Sequence, residues 1–431
     1  MKACKVFFQT LGCKVNQYES EAMAELFAAA GYPLAADISE ASIVVVNTCT
    51  VTAVSSQKSR QMIRRAAGAN PNAVLAVVGC YAQSEPEVVA AIDGVDVIIG
   101  TKDRTRIVEL VEAALQRREQ ILQVGNVEEI GAFEELPHAP HRTRAFLKIE
   151  DGCNNFCAYC IIPYVRGRVR SRPLESIRTE SLALAAAGYK ELVLTGIHIG
   201  AYGRDLKNVT LVDAIKTVLD AANPLRLRLG SLESAELTDE LIDLLKGDGR
   251  ICNHVHLPLQ AGSDAILKAM RRPYTTKNFS ELTARLIREV PDVSIGTDLI
   301  VGFPGETEAH FAETLEFIKS QPFSKIHVFP YSARAGTLAA TLPNQIPPQI
   351  KKLRAGLALE VAQAKAQLFS ERLIGKTVEI IAETAAGGLV DGLTKNYVRV
   401  CVPDKNIRLG AVVKVKVEKI FKDGVFGAAG G

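Results

Sequence analysis

The apolar pattern of this sequence predicts an α/β protein in three parts. These are a doubly wound parallel α/β unit over 1–120, a partial TIM-like barrel over 144–370 after a linker at 121–143, and a small antiparallel β-barrel over 371–431. Two observations carry that reading. Up to about position 369, short β-like runs alternate with segments of helical period, the order that builds parallel sheets and βα barrels. After position 371 the helical period gives way to short β runs between Gly-rich turns, as in a small barrel. At 431 residues the chain has room for about three domains.

The first unit begins with β runs at 6–9, 43–47 and 74–78. Between the first two, Met23, Leu26, Phe27 and Ala30 keep the i, i+3, i+4, i+7 spacing of a helix over 17–30. Asn16 with Glu19 predicts a capping box at its start, and Gly31 a stop at its end. A cysteine follows each β run: Cys13, Cys49 and Cys80. Parallel strands deliver their carboxyl ends to one edge of the sheet, where ligands bind in such folds. One cysteine after a strand reads as a small buried side chain; three after three consecutive strands read as one ligand set. Cys4, Cys252 and Cys401 follow no such pattern and are expected to be structural.

The second unit opens with a strand at 145–149, followed by Cys153, Cys157 and Cys160 in the run KIEDGCNNFCAYC. A closed zinc or iron–sulfur site normally has four protein ligands, and the next Cys or His, His198, is far along the chain. The triad reads as an open cluster site, or as a zinc knuckle completed by a distant ligand. Further strands are expected at 192–195, 225–229, 254–257, 293–298 and 325–329, separated by helices such as 173–187, which Gly188 stops. Thr195 with Gly196, Ser231 and Asp298 follow or end these runs, where a barrel gathers its chemistry; caps and turns account equally well for such residues. The segment 302–307, GFPGET, lacks the Gly-Lys-Ser/Thr ending of a phosphate loop. Arg166, Arg168, Arg170 and Arg172 recur at every second position, with no acidic residue between Asp151 and Glu175. In an extended chain they would share one face suited to phosphates; a solvated charged run is the bland alternative.

A Pro-rich link at 342–348 and a helix over 349–369, with apolar Leu353, Leu357 and Leu359, lead to the third unit. Its strands are expected at 377–382, 398–402 and 412–419, with a frayed end over 422–431. From Glu371 onward ten Lys or Arg stand against seven Asp or Glu, an excess equal to the net charge of +3 of the whole chain. Small barrels with such a surface bind folded RNA through phosphates and shape.

Composition narrows the function classes. Hydrophobic content of 48% and charged content of 23% are those of a globular protein. The opening Met1-Lys2-Ala3-Cys4-Lys5 leads straight into a β run, so no signal peptide is expected, and no apolar run approaches the ~18 residues of a membrane span. A cytoplasmic monomer is expected, in which nine cysteines are ligands or buried thiols rather than disulfides. No Ser-His-Asp set or paired carboxylates stand out, as expected where cofactors carry the hard chemistry.

The spacing of Cys153, Cys157 and Cys160, with Tyr159 between the last two, resembles the signature of the radical S-adenosylmethionine (SAM) superfamily. That resemblance implies a [4Fe-4S] cluster whose free iron takes the amino and carboxylate groups of SAM. It also implies backbone contacts to SAM from Thr195 and Gly196 and polar contacts from Ser231 and Asp298. Three dispersed N-terminal cysteines, the central triad and a basic C-terminal module together resemble the methylthiotransferases. LGCKVNQYES, CIIPYVRGRVRSRP, GTDLIVGFPGETE, HVFPYSARAGT and GLTKNYVRV are most similar to the branch acting on N6-threonylcarbamoyladenosine in tRNA. Lys14-Val15-Asn16 points to that branch; the isopentenyladenosine branch and the ribosomal-protein branch are the alternatives. An RNA-binding protein with structural zinc is the alternative of another class. The resemblance implies a second [4Fe-4S] cluster on Cys13, Cys49 and Cys80, a C-terminal RNA-binding TRAM domain, and the tRNA anticodon region as partner. An electron donor and a sulfur source are needed as well.

Overall fold

The computed structural model describes residues 4–117, 119–140, 142–404 and 406–430. Five strands, β1 (Val6–Thr10), β2 (Ile43–Thr48), β3 (Val74–Gly79), β4 (Val97–Ile99) and β5 (Ile121–Gln123), form the first sheet, all parallel and in chain order. Every residue of β2 and β3 is buried, as in a sheet covered on both faces. Helix α1 (Lys14–Ala29) covers one face with the helix Ile107–Arg117, through Met23, Phe27 and Leu110. The helix Ala53–Ala69 covers the other through Ile63 and Ala66. Because strand order follows the chain, the carboxyl ends of β1, β2 and β3 are direct neighbours. β5 lies within the segment expected as a linker, so the sheet reaches past residue 120.

The capping box expected at Asn16 and Glu19 does not form: α1 starts earlier, with Cys13 as its N-cap. Both side chains lie inside the helix, where partners from other elements claim them. Asn16 Nδ2 donates to Leu11 O at 3.2 Å, Asn47 Oδ1 at 3.1 Å and Thr48 O at 2.9 Å, tying the loops after β1 and β2 together.

In the middle of the chain β6 (Ala145–Lys148) is followed by β7 (Glu150–Asp151), which pairs antiparallel with β8 (Arg170–Ser171) and so folds the cysteine-bearing segment back on itself. β6, β9 (Glu191–Thr195) and β10 (Arg226–Arg228) form one parallel group. β11 (His254–His256), β12 (Ser294–Val301) and β13 (Lys325–Pro330) form another. Parallel bridges Leu227↔Ile251 and Ser231↔His256 join the groups into an open barrel around one continuous core that includes Leu147, Leu194, Leu227, Val255 and Ile295. Asp298 is interior to β12, not at its end, because that strand continues to Val301.

The helix Pro348–Glu371 leads out of the barrel; it buries Ala355, Ala358 and Ala362, leaving Leu353, Leu357 and Leu359 exposed. β14 (Thr377–Ala386), β15 (Leu389–Leu393), β16 (Arg399–Pro403), β17 (Val412–Phe421) and β18 (Gly424–Ala429) then close in the order β14-β15-β16-β18-β17. This barrel is not wholly antiparallel: β16 and β18 run parallel, at Val400↔Val425 and Cys401↔Phe426. The end expected to fray is instead paired, because β18 closes the barrel against β17; Gly431 lies outside the described residues. Arg226 and Arg228, fully buried in β10, fasten the barrel to the middle unit. Arg226 donates to Glu379 O at 2.7 Å and Leu393 O at 2.9 Å, and Arg228 to Lys395 O at 3.0 Å and Thr394 O at 3.1 Å. Among the described residues no helix is long and apolar enough to cross a membrane.

Candidate functional site

The loops after β1, β2 and β3 bring Cys13, Cys49 and Cys80 to one edge of the first sheet. Cys13 is exposed, whereas Cys49 and Cys80 are buried. Cys80 is presented by Gly79, whose φ is +97° and whose Cβ, if it had one, would lie 2.5 Å from Asn47 Oδ1; only glycine fits that turn. Loss of solvation by the surrounding protein pushes all three thiols up, at Cys13 although the residue as a whole is exposed; Arg166 opposes it at each, and the thiols raise one another. Arg166 Nε donates to Cys80 Sγ at 3.2 Å. A metal cluster is the kind of partner that would draw the protons from such thiols.

The second triad lies beyond β6, with Cys157 buried and Cys153 and Cys160 partly so. Burial, with Cys157 and Cys153 beside it, pushes Cys160 up to about 12. Arg272 Nη1 donates to Cys157 Sγ at 3.2 Å, while Arg272 itself is held by Glu233 and by Tyr274 Oη at 3.0 Å. His198, distant in sequence, stands with Nδ1 3.6 Å from Cys153 Sγ and Nε2 2.6 Å from Glu236 Oε1. Burial opposes its protonation, but Cys153 and Glu236 outweigh burial and raise it to about 10. Among the described residues no three His, Cys, Asp or Glu side chains are grouped so as to hold a single metal ion. Ile161 and Val165 pack on Cys80, so the chain just after Cys160 walls the first triad.

The four alternating arginines do not share an exposed face. Arg166 ends a short helix, Ile162–Arg166, and is fully buried; Arg170 and Arg172 are buried too, and only Arg168 faces solvent, over the Phe156 ring at 4.7 Å. The acids that pair with the buried three lie outside the acid-free stretch. Glu19 accepts from Arg104 at 2.6 Å, Lys148 at 2.8 Å and Arg166 Nη2 at 3.0 Å; Asp151 accepts from Lys148 at 2.6 Å. Arg172 pairs with Glu180, and Arg170 Nη2 lies 3.8 Å from Asp151. Burial pushes Glu19 up, but Arg104, Arg166 and Lys148 outweigh it and hold its carboxyl down to about 2. This network joins the first unit to the second directly beneath the cysteines.

A cavity of about 610 Å³ opens between the units, within the usual range for ligand sites. Thr195, Gly196, Ser231 and Asp298 all line it, and so does Cys13. Thr195 is buried, Ser231 is exposed, and Asp298 Oδ2 lies 3.1 Å from His256 Nε2. A Cβ on Gly196 would stand 2.8 Å from Glu150 Oε2 and 2.9 Å from Ile199 Cγ2, so packing alone demands glycine there. Glu150 is pushed up to about 8 by burial and accepts from the His198 N–H at 2.6 Å. Arg272 had no sequence signal, because it reaches the triad from a distant loop, and His198, noted above only as the next Cys or His along the chain, comes to Cys153 from the loop after β9. Lys14, His254, His256, Lys325, His327 and, from the C-terminal barrel, Tyr397 complete the wall.

Two family models match the chain: the radical SAM superfamily over 147–318 and the uncharacterized protein family UPF0004 over 5–100. It is 42% identical to the threonylcarbamoyladenosine tRNA methylthiotransferase MtaB of Bacillus subtilis, over 96% of this chain and 94% of that one. It is 37% identical to the tRNA-2-methylthio-N(6)-dimethylallyladenosine synthase of Moorella thermoacetica, over 97% of each. Among solved structures it resembles the radical S-adenosylmethionine methyltransferase TsrM of Kitasatospora setae, with cobalamin and a [4Fe-4S] cluster bound. There the TM-score is 0.58 at 16% identity, over 90% of this chain and 80% of that one, a likeness of fold.

Proposed function

The chain belongs to the radical SAM methylthiotransferases, and from that premise we propose that it converts N6-threonylcarbamoyladenosine beside the tRNA anticodon to its 2-methylthio derivative. The observation that carries this reading is a single cavity touching both Cys13 of the first triad and the four residues expected at SAM. Both donor sets fit an iron–sulfur cluster. Each offers three thiols, with a guanidinium N–H on one of them, Arg166 on Cys80 and Arg272 on Cys157, an arrangement suited to thiolates. When bound, a [4Fe-4S] cluster on Cys153, Cys157 and Cys160 supplies the electron that turns SAM into a source of hydrogen-abstracting radical, and one on Cys13, Cys49 and Cys80 supplies sulfur.

The chain's own residues bind, orient and exclude water. Main-chain groups of Thr195 and Gly196 hold the amino and carboxylate ends of SAM. Asp298, steadied by His256, and Ser231 supply polar contacts along the same wall. The buried ion network fixes the two triads relative to each other. Residues 371–431 act as a TRAM-like module that docks the tRNA, with Arg168 as the one member of the alternating four free to touch phosphate. An external electron donor and a sulfur source complete the reaction, in a cytoplasmic monomer. Higher identity to the threonylcarbamoyl relative than to the dimethylallyl one, together with Lys14-Val15-Asn16, supports the threonylcarbamoyl branch. Nucleoside mass spectrometry of tRNA from cells lacking this chain tests the reading. Loss of the 2-methylthio group from threonylcarbamoyladenosine is expected; its persistence, with loss from the dimethylallyl nucleoside, would transfer the assignment to the other branch.

A further inference from the structure

The wall of the cavity has two chemically different parts. All six strands of the central barrel run the same way, so Thr195, which ends β9, and Ser231, which follows β10, lie toward its carboxyl edge. His254 and Lys325, the first residues of β11 and β13, form another part of the wall, Lys325 being level with Ser231 in the strand register through Gly296 and His256. There Tyr397, from the C-terminal barrel, stacks on the His254 ring at 4.4 Å. Lys14, in the first turn of α1, faces the same space.

This second part of the wall holds polar groups without partners. His254 is only 7% exposed, and its Nδ1 has no hydrogen-bond partner. Among the described residues neither the half-buried Lys14 side chain nor the exposed Lys325 side chain makes a hydrogen bond or ion pair. The carboxylate whose field Lys14 feels, Glu191, is already held by Arg228 at 2.7 Å and by Arg144 and Arg226. Asp298, the carboxylate lining the cavity, is paired with His256. Two ammonium groups, an unsatisfied imidazole and the amino end of a long helix therefore converge with no anion among them. Cations gathered in this way are stabilised by an anionic ligand.

The geometry points to Lys14, His254 and Lys325 as the subsite for a carboxylate borne by the N6 substituent of the substrate adenine. That inference rests on the threonylcarbamoyl reading and gives it a physical basis: a dimethylallyl substituent has neither charge nor acceptor and would leave all three groups unmatched. The placement also suits the chemistry. Lys14 directly follows Cys13, both line the one cavity, and in adenine C6 and C2 both flank N1, so anchoring the N6 substituent at Lys14 keeps the C2 side of the ring in the cavity that the sulfur-bearing triad shares.

The same charges could serve the carboxylate of SAM or a phosphate of the RNA, and the test separates these sources. The reconstituted full-length protein is assayed for binding to one anticodon stem-loop with and without the threonylcarbamoyl group, and for binding to SAM. Lys14→Gln and Lys325→Gln are each expected to lower the preference for the modified stem-loop by about 10-fold or more, the size of a lost charge-assisted hydrogen bond. Lys14→Arg is expected to restore much of it. An equal loss on both stem-loops would reassign the lysines to phosphate, and a loss of SAM affinity would reassign them to SAM; either overturns the proposal, as does an unchanged preference. If the wild-type protein modifies the threonylcarbamoyl stem-loop while the variants keep its preference, only the subsite fails. If it modifies only a dimethylallyl stem-loop, the substrate reading fails with it.

Discussion

Replacing Glu19 by Gln removes one charge from the buried network that joins the first unit to the second. Its carboxylate takes hydrogen bonds from Arg104, Lys148 and Arg166, and is fully buried. The three cations that hold it overcome burial and move its carboxyl from 4.5 to about 2. At about 1.4 kcal/mol per pKa unit, the shift corresponds to about 3 kcal/mol of stability at pH 7. Breaking a buried ion pair from one side costs a similar amount, about 3–5 kcal/mol, because the stranded charges stay buried. The sign follows from the depressed folded value: the contribution is complete above the unfolded pKa and fades as pH falls toward the folded one. Near pH 3 about half of it remains. The chain has no Trp, so anaerobic urea unfolding is followed by far-UV circular dichroism at pH 7 and pH 3. Glu19→Gln is expected to lose about 3 kcal/mol at pH 7 and clearly less at pH 3. A loss below about 1 kcal/mol at pH 7, or a gap independent of pH, would refute the electrostatic argument.

Three further outcomes follow from the site. Gly196→Ala drives a Cβ to within 2.8 Å of Glu150 Oε2; overpacking of this kind costs about 1–3 kcal/mol, and SAM affinity measured by equilibrium dialysis falls with it, whereas unchanged stability and affinity would show that the loop yields freely. Anaerobically reconstituted protein carries about eight iron atoms if each triad binds a cubane. Alanine at Cys153, Cys157 and Cys160 abolishes reductive SAM cleavage. Alanine at Cys13, Cys49 and Cys80 spares cleavage but stops sulfur insertion; equal loss of cleavage in both would contradict the division of roles.

Both cysteine sets were legible because each declares itself locally, one by its spacing and the other by recurring after three strands. Parallel strand direction then suffices to bring Cys13, Cys49 and Cys80 to one edge. Thr195, Gly196, Ser231 and Asp298 could be placed near one cavity by the same logic, although Asp298 proved interior to its strand. What local pattern could not supply was pairing across units. The alternating arginines looked like a phosphate-binding face because no acid lies near them in sequence, yet Glu19, Asp151 and Glu180 neutralise three of them from other elements. For the same reason Asn16 and Glu19 were misread as a cap. Arg226 and Arg228 gave no sign that they fasten the C-terminal barrel, and β18, rich in small residues, was too weakly patterned to distinguish from a loose tail.

The central claim is that one cavity joins SAM cleavage to sulfur insertion on an adenine of tRNA. The most direct measurement is mass spectrometry of the nucleosides formed when reconstituted protein, SAM, a reductant and a sulfide source act on tRNA bearing threonylcarbamoyladenosine. The account predicts the 2-methylthio derivative, with 5′-deoxyadenosine formed alongside it. Formation of 5′-deoxyadenosine with unaltered tRNA, and methylthiolation of a ribosomal protein in its place, would contradict it.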